Sequence, residues 1–408
     1  MRILFHAINY LPNTEADARR ISGLVERLTE IGCRVDVVVP FSDTVNGKKR
    51  KLWFLEFRKK EMINGVRVYR YYTIPYLNRG TLLRLLNNLS FAISSFFHIF
   101  SFRKYDIVIT SSPPLLISLS GYFIARFKGA RLVFDIRDIW PDIALEMKEL
   151  DESSFITKVF KKIANFMYIK SDLITTVSRL KVENIEKKDQ RLKGKVEYIS
   201  NGVDDFFLGL RENLKFLEEF KFNSFFAVIH IGKIGKAQDL DSFLNLALIC
   251  KGYQDIKFFL IGDGVERKRI EERIKNEKID NVVYCGKRGM EEVFTAYKYS
   301  KLCYVSLVNE NLLDSIPTKL YEALFMGCPV LLSAKGESRK ILEESNFGLS
   351  SDPNDFHSLV HNFFKIYHNY RDFIKNKDKC FHYINENYNR KNIAKKLYKI
   401  LIKLDERK

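Results

Sequence analysis

No two cysteines in this chain stand in a CxxC pair. Cys33, Cys250, Cys285, Cys303, Cys328 and Cys380 lie far apart, mostly in apolar surroundings. That spacing excludes a short zinc or redox-disulfide motif and reads as buried thiols in a reducing cytosol. Long hydrophobic runs are also missing: no stretch reaches the roughly 18 uncharged apolar residues of a membrane-spanning helix. The apolar run in the opening MRILFHAINY is too short for a secretory signal, so a cytoplasmic protein is expected. With only nine prolines among 408 residues, and no repeat or low-complexity tract, little speaks for disorder.

The chain is long enough for two domains, each with its own core, and 46% apolar residues are enough to offset the ordering entropy. The net charge of +18 implies an acidic partner: nucleic acid, an anionic lipid surface or a phosphate-bearing substrate. Short apolar runs alternate with helical patterns, as in a parallel sheet covered by helices on both faces. Strands are predicted at residues 2–8, 34–39, 105–110, 131–136, 173–177 and 196–199, and a second series at 225–231, 258–264, 282–288 and 302–307.

The chemistry concentrates at residues 309–334, NENLLDSIPTKLYEALFMGCPVLLSA. Pro317 suits the start of a helix, Gly327 its end, and residues 329–332 a short buried strand. Asp314 and Glu322 bracket the helix start, where the backbone N–H groups of Thr318, Lys319 and Leu320 form an anion site. A diphosphate on those amides, with Glu322 accepting from a vicinal diol, suits a nucleotide sugar. An amphipathic helix whose acids offset its own dipole fits the same spacing.

Upstream, Gly232, Lys233, Gly235 and Lys236 follow a predicted strand, where glycines let backbone amides approach a phosphate and Lys236 adds a point charge. Gly262 and Gly264, in FFLIGDG, allow another close approach or simply a tight turn. Lys287 and Arg288 end the following strand, facing a bound base or solvent. In the first half, Asp138 lies just past the strand 131–136, where a crevice opens in such sheets. It either contacts an acceptor hydroxyl or caps the next turn, with Trp140 in the core.

Residues 309–334 resemble the donor-site signature of the retaining glycosyltransferases of family 4: two acids across seven residues before a Gly-x-Pro-Val turn, here Asp314, Glu322 and Gly327 to Val330. Ser315 to Glu322, SIPTKLYE, is similar to members that build bacterial surface polysaccharides, including N-acetylfucosamine-like amino-sugar transferases. Ser200 to Asp204 resembles the family's Pro-Asn-Gly-Val-Asp interdomain segment, and Asp138 to Pro141 its D-x-W-P acceptor segment. The chain departs from the pattern in three places: Asp314 stands for a usual Glu, Lys233 for a usual Arg, and Ala16 and Ala18 for glycines of the first turn.

The resemblance implies an α/β protein of the GT-B fold, with two Rossmann-like doubly wound domains facing an interdomain cleft. The expected division is 1–205 for the acceptor, 206–385 for the donor, and a helix at 386–408 crossing back. It further implies a retaining, metal-independent transferase with no cofactor. That enzyme would move a sugar, an amino sugar by the SIPTKLYE form, from a UDP-linked donor to a lipid-linked saccharide of O-antigen or capsule. Asp138 would position the acceptor, Lys236 and the amides of Thr318 to Leu320 would meet the diphosphate, Glu322 the ribose and Asp314 the sugar hydroxyls. Gly232, Lys233, Gly235, Gly262, Gly264 and Arg288 would complete the donor site.

Two stretches point to the inner face of an anionic membrane. One is KKRKLWFLEFRKK at 48–60, built around Trp53, Phe54, Leu55 and Phe57. The other is a helix at 82–102 carrying Leu82, Leu86, Leu89, Ile93, Phe96, Phe97 and Phe100 on one side, with Arg79, Arg84, Arg103 and Lys104 near its ends. The same helix packed on its own sheet is the alternative. A UDP-sugar epimerase of related architecture would use the same donor site, and a nucleic-acid binder would explain the charge, although no recognition motif accompanies it. His357 and His361 stand one helical turn apart without a metalloprotease Glu or a third ligand, and read as surface histidines.

Overall fold

The computed structural model describes residues 1–408 except 14, 42–43, 46–47, 50–55, 76–79 and 407–408. Trp53, Phe54, Leu55 and Arg79 therefore lie outside the described residues, as does the side chain of Leu82. The chain forms two compact units, 1–201 with 390–408, and 202–389. The division falls beside Gly202, whose φ of +59° is a turn conformation that favours glycine.

Unit 1 contains strands β1 (Arg2–His6), β2 (Arg34–Pro40), β3 (Thr44–Val45), β4 (Lys48–Lys49), β5 (Arg58–Ile63), β6 (Val66–Tyr71), β7 (Ile107–Ser112), β8 (Arg131–Ile136), β9 (Leu173–Thr176) and β10 (Val196–Tyr198). Among the described residues, eight of them form one sheet in the order β10-β9-β8-β7-β1-β2-β6-β5. All neighbours are parallel except β5, which pairs antiparallel with β6 through the turn at Asn64 and Gly65. Among the described residues β3 and β4 pair only with each other. The inner strands are apolar because both faces are covered.

On one face, Ile21, Leu24, Val25 and Leu28 of the helix Ala16–Glu30 share a core with Ile393, Leu397, Leu401 and Leu404 of the terminal helix Arg390–Asp405. The other face is covered by helices Gly80–Phe96, Leu115–Lys128 and Phe155–Lys170. Ser154 caps the last of these by accepting the Thr157 N–H at 3.1 Å.

Unit 2 contains β11 (Phe226–Lys233), β12 (Ile256–Asp263), β13 (Val282–Gly286), β14 (Leu302–Ser306), β15 (Val330–Ser333) and β16 (Gly348–Ser351). They form an all-parallel sheet in the order β13-β12-β11-β14-β15-β16. Its first βα turn is fixed by Asp239, whose carboxylate accepts the Ser242 N–H at 3.1 Å at the start of helix Leu240–Ile249. The basic segment 377–403 is two helices, Lys377–Tyr388 and Arg390–Asp405. Asn389 between them is extended and bridges to Val203. All six cysteines are buried and free. No helix among the described residues is long and apolar enough to cross a membrane.

Candidate functional site

Open parallel sheets bind ligands outside the carboxyl ends of the strands where the strand order reverses. In unit 2 that point lies between β11 and β14. β11 leaves the sheet through Gly232 at φ +123°, in register with Gly262 at φ +150° on β12. The turns that follow are pressed backbone to backbone. A Cβ on Gly262 would lie 1.7 Å from the Gly232 carbonyl oxygen, and one on Gly264 2.1 Å from that of Ile234. The Ile234 N–H donates to the Asp263 carbonyl at 3.0 Å, and the Glu266 N–H to that of Ile234 at 3.2 Å. The close approach made by Gly262 and Gly264 is therefore to the neighbouring turn. Lys233 and Lys236 are exposed, and neither side chain has a hydrogen bond or ion pair among the described residues.

The segment after β14 is fastened to the same turn. The Val308 N–H donates to the Ala237 carbonyl at 3.1 Å, and the Asp239 N–H to Ser306 Oγ at 3.1 Å. Residues 309–315 then fold into tight turns held against helix Gly336–Ser345. The Glu337 N–H donates to the Leu313 carbonyl at 2.9 Å, and Ser338 Oγ to the Ser315 carbonyl at 2.7 Å. Gly336, at φ +66°, permits this contact, since a Cβ there would meet the Leu313 carbonyl oxygen at 2.0 Å. Asp314 is held half-buried in this loop.

Helix Thr318–Phe325 starts at Pro317. The Leu320 N–H donates to the Pro317 carbonyl at 3.0 Å, closing the first turn more tightly than an α-helical bond would. Of the three amides expected to meet an anion, Leu320's is thus engaged, which leaves Thr318 and Lys319 at the helix start. At the other end Gly327 takes φ +69° and the Cys328 N–H closes onto the Ala323 carbonyl at 2.9 Å.

Glu322 is 7% exposed and accepts from the Tyr297 hydroxyl at 3.3 Å. One turn before it, the Lys319 side chain runs beneath the glycine turn. Its Nζ donates to Gln238 Oε1 at 2.8 Å and lies 3.2 Å from His230 Nε2. It is also 3.6 Å from where a Gly232 Cβ would stand. Burial pushes Lys319 down to about 8. His230 is fully buried and held well below its ordinary value by that burial and by the Lys319 charge. The neutral imidazole accepts at Nε2 from the ammonium group. Sequence reading used only the Lys319 amide and gave no site role to His230 or to Gln238, which closes the G-K-x-Q form of the glycine turn. The available signal was a histidine inside the apolar run FAVIHIG.

Arg288 is held apart from this group. Its Nε donates to the Cys285 carbonyl at 2.6 Å, its guanidinium reaches Glu292 at 3.4 Å and Glu219 at 3.6 Å, and it lies over the rings of Phe216 and Phe220. Those contacts occupy the fork expected to face a base. Lys287 beside it is exposed.

In unit 1 the strand order reverses between β1 and β7. Past these ends Asp17 accepts from Asn9 at 2.8 Å and pairs with Arg137 at 3.2 Å. Three carboxylates follow along the chain. Asp135 is buried and accepts from Arg20 at 2.7 and 3.0 Å, Ser111 at 3.3 Å and Thr175 at 2.8 Å. Asp142 pairs with Lys188 at 2.5 Å. Asp138 is half-buried and has no side-chain partner among the described residues, so it alone of the three is uncommitted. Trp140 packs edge-on against Phe160 and, with Asp142, Asn165 and Lys188, lines a cavity of about 560 Å³. His357 and His361 are exposed on helix Phe356–His368, and no group of three or more His, Cys, Asp or Glu among the described residues is placed to hold a metal.

Residues 18–205 match the family described as Glycosyltransferase Family 4, and residues 215–401 that described as Glycosyl transferases group 1. WcaI of Escherichia coli strain K12, named as a colanic acid biosynthesis glycosyl transferase, is 22% identical over 351 residues, covering 82% of this chain and 84% of its own. The sucrose-phosphate synthase of Thermosynechococcus elongatus superposes with a TM-score of 0.75 at 14% identity, covering 100% of both chains. HepE of Anabaena in complex with UDP-glucose does so with a TM-score of 0.73 at 13% identity, covering 99% of this chain and 100% of its own. These likenesses give the GT-B fold.

Proposed function

From a chain that is a glycosyltransferase of GT-B type, we infer a retaining enzyme of surface-polysaccharide synthesis. It moves a sugar, with an amino sugar favoured by the SIPTKLYE segment, from a UDP-linked donor to a lipid-linked saccharide at the inner face of the cell membrane. The naming of WcaI for colanic acid biosynthesis and the UDP-glucose bound by HepE support this reading. One observation carries it. At the switch point of unit 2, the glycine turn with uncommitted Lys233 and Lys236 is tied to the segment that presents Asp314, the start of helix Thr318–Phe325 and buried Glu322.

The diphosphate lies on the Gly232–Lys236 turn and the amides of Thr318 and Lys319, with Lys236 as the mobile counter-charge and Lys319 beneath. Glu322 accepts from the ribose and Asp314 from the sugar hydroxyls. The bond from the anomeric carbon to the phosphate oxygen breaks, the acceptor oxygen bonds to the same face of that carbon, and the departing phosphate takes the acceptor's proton. The charge is met by lysines and amides, so the proposed step needs no bound metal. Asp138, without a side-chain partner among the described residues, orients the acceptor hydroxyl.

The test is a thermal-shift panel of UDP, GDP, ADP and their sugar conjugates, followed by transfer assays with and without a chelator. Selective stabilisation by one nucleotide class, lost in Glu322→Ala, is expected. No selective shift overturns the donor site, and conversion of donor to an isomer without acceptor replaces transfer by epimerisation.

A further inference from the structure

Helix Gly80–Phe96 turns an apolar side outward. Leu86, Leu89 and Ile93 are exposed at helical spacing, and the stripe continues through Phe97 and Phe100 of the 3-10 turn Phe97–Phe100 to Phe102. The opposite side of the same segment, with Phe91, Ser94, Ser95 and His98, is the one buried on the sheet. The neighbouring helix Leu115–Lys128 widens the stripe with Phe123 and Phe127, which are 43% and 66% exposed. Ring contacts join the two: Phe96 lies 5.8 Å from Phe123 and 6.3 Å from Phe127, and Phe97 lies 5.4 Å from Phe57 and 6.2 Å from Phe100. Sequence periodicity pointed to the first helix alone; Phe123 and Phe127 join it only in the fold.

The charge along this segment of the chain is almost all of one sign. From residue 80 to 134 the only acid is Asp106, which is paired with Arg2 at 2.9 Å. Arg84, Arg103, Lys104 and Arg126 are exposed and have no carboxylate partner among the described residues. A second copy of the chain would bring like charges together across the stripe. An anionic bilayer offers both complements, acyl chains for the rings and head groups for the cations.

We propose that this aromatic face of unit 1 docks the protein on an anionic lipid bilayer, with Phe97, Phe100, Phe123 and Phe127 entering the interface and Arg84, Arg103, Lys104 and Arg126 meeting the head groups. The proposal takes from the functional reading only the lipid-linked acceptor, and it identifies the surface that brings the enzyme to it.

The experiment is vesicle sedimentation of the full chain with phosphatidylcholine alone or mixed with phosphatidylglycerol, for wild type, Phe97→Ser/Phe127→Ser and Arg103→Glu/Lys104→Glu. Wild type is expected to pellet with the mixed vesicles and much less with the neutral ones. Each double variant should lose at least about tenfold in partition while keeping the wild-type melting temperature and UDP stabilisation. If the Phe variant does not fold, the charge reversal at two exposed positions decides alone.

Wild type remaining in the supernatant with both vesicles overturns the docking face, as does unchanged partition of the folded variants. A vesicle-free dimer that the Phe variant dissociates, with no pelleting, assigns the face to a second copy instead. Failure to pellet with UDP stabilisation intact sinks the docking and leaves the donor site. Pelleting without any nucleotide stabilisation does the reverse.

Discussion

The two sheets close their carboxyl ends by different means, and the difference separates framework from chemistry. In unit 1 the ends are filled by side chains bonded to one another, Asp135 with Arg20, Ser111 and Thr175, and Arg137 with Asp17. In unit 2 the corresponding space is closed by backbone lying on backbone at Gly232, Gly262, Gly264 and Gly336. A side-chain lattice turns its carboxylates toward its own cations and hydroxyls, and leaves Asp138 beside it to a ligand. Backbone packing keeps the turns low and leaves Lys233 and Lys236 above them without partners among the described residues.

The sharpest way to break the contrast is to add one methyl group. Gly262→Ala places a Cβ 1.7 Å from the Gly232 carbonyl at a φ of +150°, and nothing flexible there can yield. A loss of about 3 kcal/mol or more is expected in chemical denaturation, with poor recovery of folded protein. Gly129→Ala is the control: φ is +61° but nothing lies within 4 Å, and the cost should be about 1 kcal/mol. Equal losses would mean that backbone conformation, not turn packing, is what these glycines provide.

The lattice of unit 1 is broken at Asp135. Asp135→Asn leaves the Arg20 guanidinium buried beside a neutral amide, which costs about 3 kcal/mol by the usual penalty for halving a buried pair. Asp138→Asn, three residues on, should leave the unfolding free energy within about 0.5 kcal/mol of wild type while lowering transfer roughly a hundredfold. Stability that falls for both variants would place Asp138 in the framework and remove it from the acceptor side. Glu322→Gln keeps the shape of a buried side chain and removes its charge. A fall of roughly a hundredfold in kcat/KM, about 2.7 kcal/mol, is expected with nucleotide stabilisation reduced in parallel.

What could be read from sequence follows the range of the interactions. The parallel sheets were legible because apolar runs alternate with helical periods, and the segment 309–334 was legible because its bonds are local: Pro317 opens the helix and Gly327 closes it. The hairpin of β5 and β6 was also written locally, in Asn64-Gly65, yet the basic residues around it drew the reading toward a surface. The break at Asn389 was not legible, because it depends on a bridge to Val203 far away in the chain. The Gly262 contact and the Lys319, His230 and Gln238 group depend likewise on residues brought together only by the order of strands.

That buried group gives the finest test of the contrast, since a lattice of paired charges and a lone buried cation respond to pH in different ways. Lys319 is brought down from 10.5 to about 8 by burial. Between those values the folded chain binds fewer protons than the unfolded one, so this group makes stability rise with pH. The cost of burying its charge is present in full below about pH 8 and has gone by the ordinary value of 10.5. Lys319→Met has no such cost. The difference in unfolding free energy between variant and wild type should therefore shrink as pH rises through that window, by about 3 kcal/mol in all. Adding UDP should oppose the trend, because a diphosphate above the Gly232 turn favours the ammonium form and returns the lysine toward 10.5. Donor binding at pH 9 would then take up a proton, visible as a buffer-dependent heat in calorimetry that the Met variant lacks. A difference that stays flat with pH would show that Lys319 is charged at no special cost. In that case its bonds to Gln238 and His230 would serve the fold of the turn, and not the anion above it.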